Sequence, residues 1–232
     1  MATQSPGSFE SDVLARSVGH TSIRIPQTQP ASAADRIDQI GTVVAFPKNS
    51  QLYGEGDTST YLYKIVSGFG RSFRTTTEGG RQIVCFYVPG DLFGFEVGDS
   101  HTLSAEVMTD SKVRMIRRNS LVNAAAQDED VAHQLWLCVN REIRRTQEHI
   151  LQFGRPARAR VASLLLEMAR RIPAVEVEVL SISRQDIADY LDLRIETVSR
   201  AVSRFVKLGA ITLSGNRKIT IRNPSVLAQL IS

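Results

Sequence analysis

Cysteine is nearly absent: the 232 residues hold two, Cys85 and Cys138. They stand far apart, outside any C-x-x-C and away from any Cys/His cluster. Two thiols cannot furnish a four-cysteine iron–sulfur cluster, and without clustered histidines they do not make a structural zinc site. They read as small buried thiols and not as a disulfide. No apolar run reaches about 18 residues, so no segment reads as a membrane-spanning helix. The start, MATQSPGSFESDVLARS, lacks a basic stretch followed by an apolar core. It does not read as a secretory signal, and a cytoplasmic location is expected. No nucleophile–base motif, phosphate-binding loop or metal-ligand set appears, so no enzyme and no cofactor is expected.

What the chain does have is ordinary in amount and uneven in placement. Apolar residues make up 42% and charged ones 22%, as in a globular protein. The length allows one or two domains, each with a core. Residues 155–232 carry 13 Lys and Arg against 7 Asp and Glu, a balance of +6. The whole chain is +4, so the remainder is −2. The basic charge belongs to the C-terminal third, which points to a polyanionic partner there.

Texture divides the chain further. Residues 1–38 are rich in Ser, Gln, Pro, Thr and Ala and read as a flexible tail. Ten of the 15 glycines fall between Gly41 and Gly98. Between them run short β-type segments: TVVAF, YLYKIV, RSFRTT, QIVCFYV, LSAEVM and KVRMI. GEGD, TEGG and VPGD mark turns. Many short strands with regular turns predict an antiparallel β-roll over 39–117.

Residues 118–154 read as helix, without Pro or internal Gly before Gly154. Val131, Leu135, Val139, Ile143, Thr146, Ile150 and Phe153 recur at steps of three and four. That stripe either packs on the chain's own β-domain or forms a dimer seam, and both can hold on different sides. The seam residues are Leu135, Val139, Ile143, Thr146, Ile150 and Phe153. Gly154-Arg155-Pro156 then marks a boundary.

Beyond it, ARARVASLLLEMARR is an amphipathic helix. VEVEVLSI alternates as a strand does. SRQDIADYL and RIETVSRAVSRFVKLG read as two helices about a turn at Leu191-Asp192-Leu193. AITLSGNRKITIRNP reads as a hairpin turning around Gly215-Asn216. The sum is a winged helix-turn-helix over 155–232. Ala188 supplies the small residue at the helix crossing. Ile187, Leu191, Leu193, Val198 and Val202 face a shared core, and Asp192 suits a left-handed turn. Ile195, Glu196, Ser199 and Arg200 then face outward.

That set suits the major groove. Arg200 can donate twice to guanine O6 and N7, Glu196 can accept from cytosine N4, Ser199 can pair with either edge, and Ile195 can touch a thymine methyl. The carboxylate is tolerable beside phosphates if Arg200 also pairs with it. Arg194, Arg204, Lys207, Arg217 and Lys218 are candidates for phosphate contacts, each equally readable as a solvated surface charge.

RQDIADYLDLRIETVSRAVSRFVKLGAI resembles the helix-turn-helix of the Crp/Fnr superfamily of bacterial transcription regulators. The E-x-x-S-R of Glu196, Ser199 and Arg200 is similar to its Fnr and FixK-type branches. GEGDTSTYLYKIVSGFGRSFRTTTEGGRQIVCFYVPGDLFGFE resembles the superfamily's cyclic-nucleotide-binding-like β-roll. The likeness spans about residues 40–232. It implies an α+β chain: an N-terminal antiparallel jelly roll, a long dimerisation helix, and a C-terminal winged helix-turn-helix. It also implies a homodimer on a TTGA…TCAA palindrome, working with RNA polymerase and away from any membrane.

The chain departs from its cyclic-nucleotide-binding relatives. They grip the cyclic phosphate with Arg-Ser or Arg-Thr; here the slot reads His101-Thr102-Leu103-Ser104-Ala105, without arginine. A buried phosphate without a cation is costly. The cysteine-free N-terminus rules out the oxygen-sensing cluster of the Fnr type. Cys85, His20, His101, His133 and His149 show no haem-ligand motif. The resemblance that remains is to FixK-type activators, which need no bound effector and switch on genes for low-oxygen respiration and nitrogen fixation. Two other readings stay open: a ligand-gated regulator of the same fold, and a non-DNA regulatory subunit that uses the β-roll to bind a partner.

Overall fold

The structure, a computed structural model, describes residues 36–77, 79–172, 180–215 and 218–231. The expected tail up to residue 35, Asn216 and Arg217, and the whole alternating VEVEV stretch (residues 175–179) lie outside the described residues. Residues 36–38, expected within the tail, instead belong to a 3-10 turn, Arg36–Gln39. Ile37 is buried there, Arg36 pairs with Asp128 at 2.7 Å, and Asp38 with Lys64 at 2.8 Å.

Eight strands follow: β1 (Thr42–Phe46), β2 (Gln51–Tyr53), β3 (Tyr61–Ser67), β4 (Gly70–Thr75), β5 (Arg81–Tyr87), β6 (Leu92–Phe93), β7 (Ser104–Val107) and β8 (Ser111–Arg117). They form two four-stranded antiparallel sheets, ordered β1-β8-β3-β6 and β2-β7-β4-β5. Tyr63, Ile65, Phe93 and Val113 of the first sheet meet Tyr53, Tyr87, Ala105 and Val107 of the second in one buried cluster. Alternation along the strands sends these side chains inward. At Gly68, φ is +90°, and a Cβ there would stand 2.1 Å from Ser111 Oγ. Only glycine can turn the chain from β3 to β4 at that point.

One irregularity shapes the whole. On β4 the partners of Ser72 and Phe73 are Cys85 and Ile83, so Val84 is an extra residue, a β-bulge. The bulge reverses the parity of β5. Cys85 and Tyr87 point into the roll, while Ile83 and Phe86 join an outer cluster.

The expected single helix over 118–153 is two: α1 (Arg118–Gln127) and α2 (Glu129–Gln152). Asp128 breaks it in an extended conformation and caps α2, accepting from Asp130 N at 2.9 Å and Val131 N at 3.4 Å. Then come α3 (Ala157–Arg171), β9 (Leu180–Ser181), α4 (Arg184–Leu191), α5 (Ile195–Lys207), β10 (Ile211–Ser214), β11 (Lys218–Ile221) and α6 (Pro224–Gln229). The wing is a three-stranded antiparallel sheet in the order β10-β11-β9. Beyond the expected hairpin lies α6, which opens on Pro224 at its first turn and buries Leu227.

Ile83, Phe86, Val88 and Met108 of the β-roll pack in the same cluster as Val161, Leu165, Ile187, Val198 and Phe205 of the C-terminal helices. The C-terminal helices therefore rest on the outer face of the roll.

Candidate nucleic-acid interface

The two helices of the helix-turn-helix are placed by local chemistry first. Ser183 caps α4: its Oγ accepts from Asp186 N at 3.0 Å, while Asp186 Oδ2 accepts from Ser183 N at 3.2 Å. Such a capping box is worth about 0.5–2 kcal/mol. Leu191 ends α4, and Asp192 turns the chain at φ 51°, ψ 56°, the left-handed region expected of it. Ile187, Ala188, Leu191, Val198 and Val202 are buried, and Leu193 packs beside them.

Longer-range contacts then hold the pair. Arg71 of β4 bonds both Asp186 and Glu106, and Arg81 Nη2 of β5 reaches Asp186 Oδ1 at 3.1 Å. Asp186 thus serves the cap with one oxygen and the β-roll with the other. Arg160, buried on α3, donates to the Leu191 carbonyl at the turn and lies over the Phe153 ring, 4.9 Å from its centroid. His149 of α2 packs against Tyr190 at 4.2 Å and edge-on against Phe153 at 5.1 Å. The end of the long helix, the first helix of the C-terminal part and the turn therefore touch through three side chains. Burial holds the His149 imidazole pKa below its ordinary value, and the Arg160 charge lowers it further. No sequence signal joins residues 71, 81 and 186, because these contacts span more than 100 positions.

The outward face of α5 is as expected. Ile195, Glu196 and Arg200 are exposed and Ser199 is half-buried. The Glu196–Arg200 ion pair that sequence reading allowed does not form: among the described residues neither side chain has a hydrogen-bond or ion-pair partner. Both remain free for a ligand. Arg194, Arg204, Lys207 and Lys218 are exposed around this face; Arg217 lies outside the described residues.

The seam residues divide. Leu135 packs against the chain's own cluster of Ile37, Leu121 and Val131, and Val139 is half-buried. Ile143 (50%), Ile150 (61%) and Phe153 (48%) are exposed, as is Thr146.

The β-roll encloses a cavity of about 200 Å³ beside α2. Its loop offers Thr102 and Leu103, with no arginine. Glu96 occupies the loop instead, accepting from Thr102 N at 2.9 Å and Thr102 Oγ1 at 3.2 Å. Arg145 of α2 and Arg171 of α3 do reach the cavity, a cationic contribution the loop sequence could not reveal. Both are held by Asp91. Glu142 and Glu167 line the same space. No helix among the described residues is long and apolar enough to cross a membrane.

Residues 159–230 match the Crp-like helix-turn-helix domain, and residues 43–128 match the cyclic nucleotide-binding domain. The nitrogen fixation regulation protein FixK of Azorhizobium caulinodans is 37% identical over 210 residues, 88% of this chain and 85% of its own. The chain belongs to the Crp/Fnr family of transcription regulators. The FixK protein of Rhizobium meliloti is 33% identical, covering 81% of this chain and 86% of its own. The solved structure of FixK2 from Bradyrhizobium japonicum aligns with a TM-score of 0.74 and 41% identity over 83% of this chain and 98% of that one. This Crp/Fnr member is thus a regulator with a helix-turn-helix DNA-binding domain and a cyclic-nucleotide-binding-like β-roll. Its relatives are regulators, not enzymes.

Proposed function

We propose that this Crp/Fnr regulator is a cytoplasmic homodimer that reads a TTGA…TCAA palindrome without a bound effector. It acts as an activator with RNA polymerase. The observation that carries the reading is the α5 face, where Glu196 and Arg200 are exposed and unpaired above a buried Val198 and Val202. Arg200 reads guanine, Glu196 cytosine, Ser199 either edge and Ile195 a thymine methyl. Arg194, Arg204, Lys207, Arg217 and Lys218 take phosphates.

Residues 39–117 serve as the β-roll, 118–154 as the dimerisation segment and 155–232 as the DNA reader. The exposed Ile143, Ile150 and Phe153 give α2 an apolar strip that a second copy would cover. Two recognition helices would then sit about 34 Å apart, one turn of DNA. Effector independence rests on the phosphate slot: Glu96 bonds the loop there, and the nearby Arg145 and Arg171 are already paired with Asp91, Glu142 and Glu167. An anionic nucleotide would meet Glu96, Glu142 and Glu167 there. The FixK relatives are named for regulation of nitrogen fixation, which supports target genes in nitrogen fixation and, by the same branch, in low-oxygen respiration.

The cavity itself favours one second reading, a regulator gated by a small neutral or cationic ligand. Fluorescence anisotropy separates the two. Nucleotide-free protein at about 0.15 M salt should bind the palindrome with nanomolar affinity and select it over a scrambled duplex. Weak, unselective binding that sharpens only with an added small molecule overturns effector independence.

A further inference from the structure

We propose that the cleft between the Val88–Asp91 turn, α2 and α3 binds a compact polyanion of the diphosphate class. The cleft measures about 330 Å³, at the small end of the roughly 300–1,000 Å³ typical of ligand sites. Five guanidiniums converge on it: Arg141, Arg144 and Arg145 from α2, Arg170 and Arg171 from α3. Three carboxylates, Asp91, Glu148 and Glu167, line it too, and Glu142 pairs with Arg145 at 3.3 Å from just outside, so the arginines still outnumber the carboxylates five to four.

The carboxylates are already engaged. Asp91 Oδ1 accepts from Arg145 Nη2 at 2.9 Å, and its Oδ2 accepts from Arg171 and from Val88 N at 2.8 Å. Glu167 accepts from Arg171 at 3.0 Å and Glu148 from Arg144 at 3.2 Å. Arg141 has no carboxylate; it reaches the Leu137 carbonyl at 3.3 Å and Cys138 Sγ at 3.2 Å. Arg170 has no hydrogen bond or ion pair among the described residues. Two facing helices thus each present a guanidinium without a counter-charge across one cleft. Planar guanidinium forks bind phosphate oxygens two at a time. A ligand with two phosphate-type groups satisfies both helices; a single phosphate satisfies one.

This cleft lies away from the DNA-reading face and adjoins the β-roll cavity, sharing Arg145, Glu167 and Arg171 with it, while Arg141, Arg144 and Arg170 line the cleft alone. It also lies across α2 from Ile143, Ile150 and Phe153, so a dimer formed through that strip leaves it open. A bound diphosphate would join α2 to α3 across the Gly154–Pro156 boundary and so connect the long helix to the DNA reader.

Calorimetry on the full chain tests the site, with inorganic pyrophosphate, inorganic phosphate and adenosine diphosphate titrated separately at matched ionic strength. Pyrophosphate should saturate at one per chain and bind at least about tenfold tighter than phosphate. Arg141→Gln and Arg170→Gln, both at exposed positions, should each weaken it about tenfold. Adenosine diphosphate binding tighter than pyrophosphate would show that a nucleotide carries the diphosphate; equal or weaker binding would point to a free one. Arg200→Ala should leave the titration unchanged. No saturable binding overturns the site, and so does binding lost in Arg200→Ala but kept in Arg141→Gln and Arg170→Gln. Failure of the palindrome experiment leaves this result standing, since no DNA is present.

Discussion

Arg200 and Glu196 illustrate how far single residues can be read. Their spacing puts them on one helix face, and a surface ion pair between them would contribute only about 0.3–0.5 kcal/mol. The structure leaves them apart, which suits ligands better than each other. Arg200→Ala should cost about 1–3 kcal/mol on the palindrome and relax discrimination at one guanine. Anisotropy on matched and guanine-substituted duplexes checks this, and equal losses on specific and random DNA would remove the base-reading role. Asp186 is the opposite case. Its cap with Ser183 lies three residues away, whereas its partners Arg71 and Arg81 lie more than 100 positions away and leave no local mark. Asp186→Asn retains a capping oxygen but leaves buried Arg71 with Glu106 alone. Removing one partner of a buried pair should destabilise by about 3 kcal/mol, read from urea denaturation.

At the scale of elements, periodicity was a good guide where one face meets one environment. The helix-turn-helix is legible because Ile187, Val198 and Val202 mark its inner side and Asp192 its turn. The strands of the roll are legible from alternation and turns. Three features were not. Helix α1 ends at Asp128 without Pro or Gly, because a capping aspartate can start a helix in the middle of a helical run. The bulge at Val84 needs a partner strand to be visible. Helix α6 is too short to show a period. The long α2 stripe admits two readings in sequence, and the structure divides it: its start packs at home through Val131 and Leu135, and its end is exposed. The proposed dimer through this strip predicts that Ile143→Lys sediments as a monomer while the fold persists, measured by sedimentation velocity with circular dichroism alongside. A variant that stays dimeric would remove α2 from the seam.

The whole molecule behaves as more than its parts in sequence order. The outer face of β5 and the C-terminal helices share one apolar core. Asp186 and Asp91 each join the roll to a helix, and His149 closes the junction against Tyr190 and Phe153. The half-buried His149 resists protonation, and its folded pKa is depressed. An imidazole in the unfolded chain takes its proton near pH ~6.5. Below that value the unfolded state binds more protons than the folded one, so stability falls as pH drops from about 7 toward 5. His149→Phe should flatten this slope in thermal unfolding scans. An unchanged slope would assign it elsewhere, His101 included, whose burial lowers its pKa too.

The sequence by itself determined the strand and helix types, the helix-turn-helix with its outward Ile195, Glu196, Ser199 and Arg200, and the basic bias of the last third. These depend on periods of two and 3.6 residues, on turn chemistry and on composition, all of which act over short stretches. Only the tertiary structure decided what holds the reader against the roll, which half of α2 stays exposed, and where five arginines converge. Those outcomes depend on side chains from about 30 to more than 100 positions apart, and no local pattern encodes the meeting of such residues.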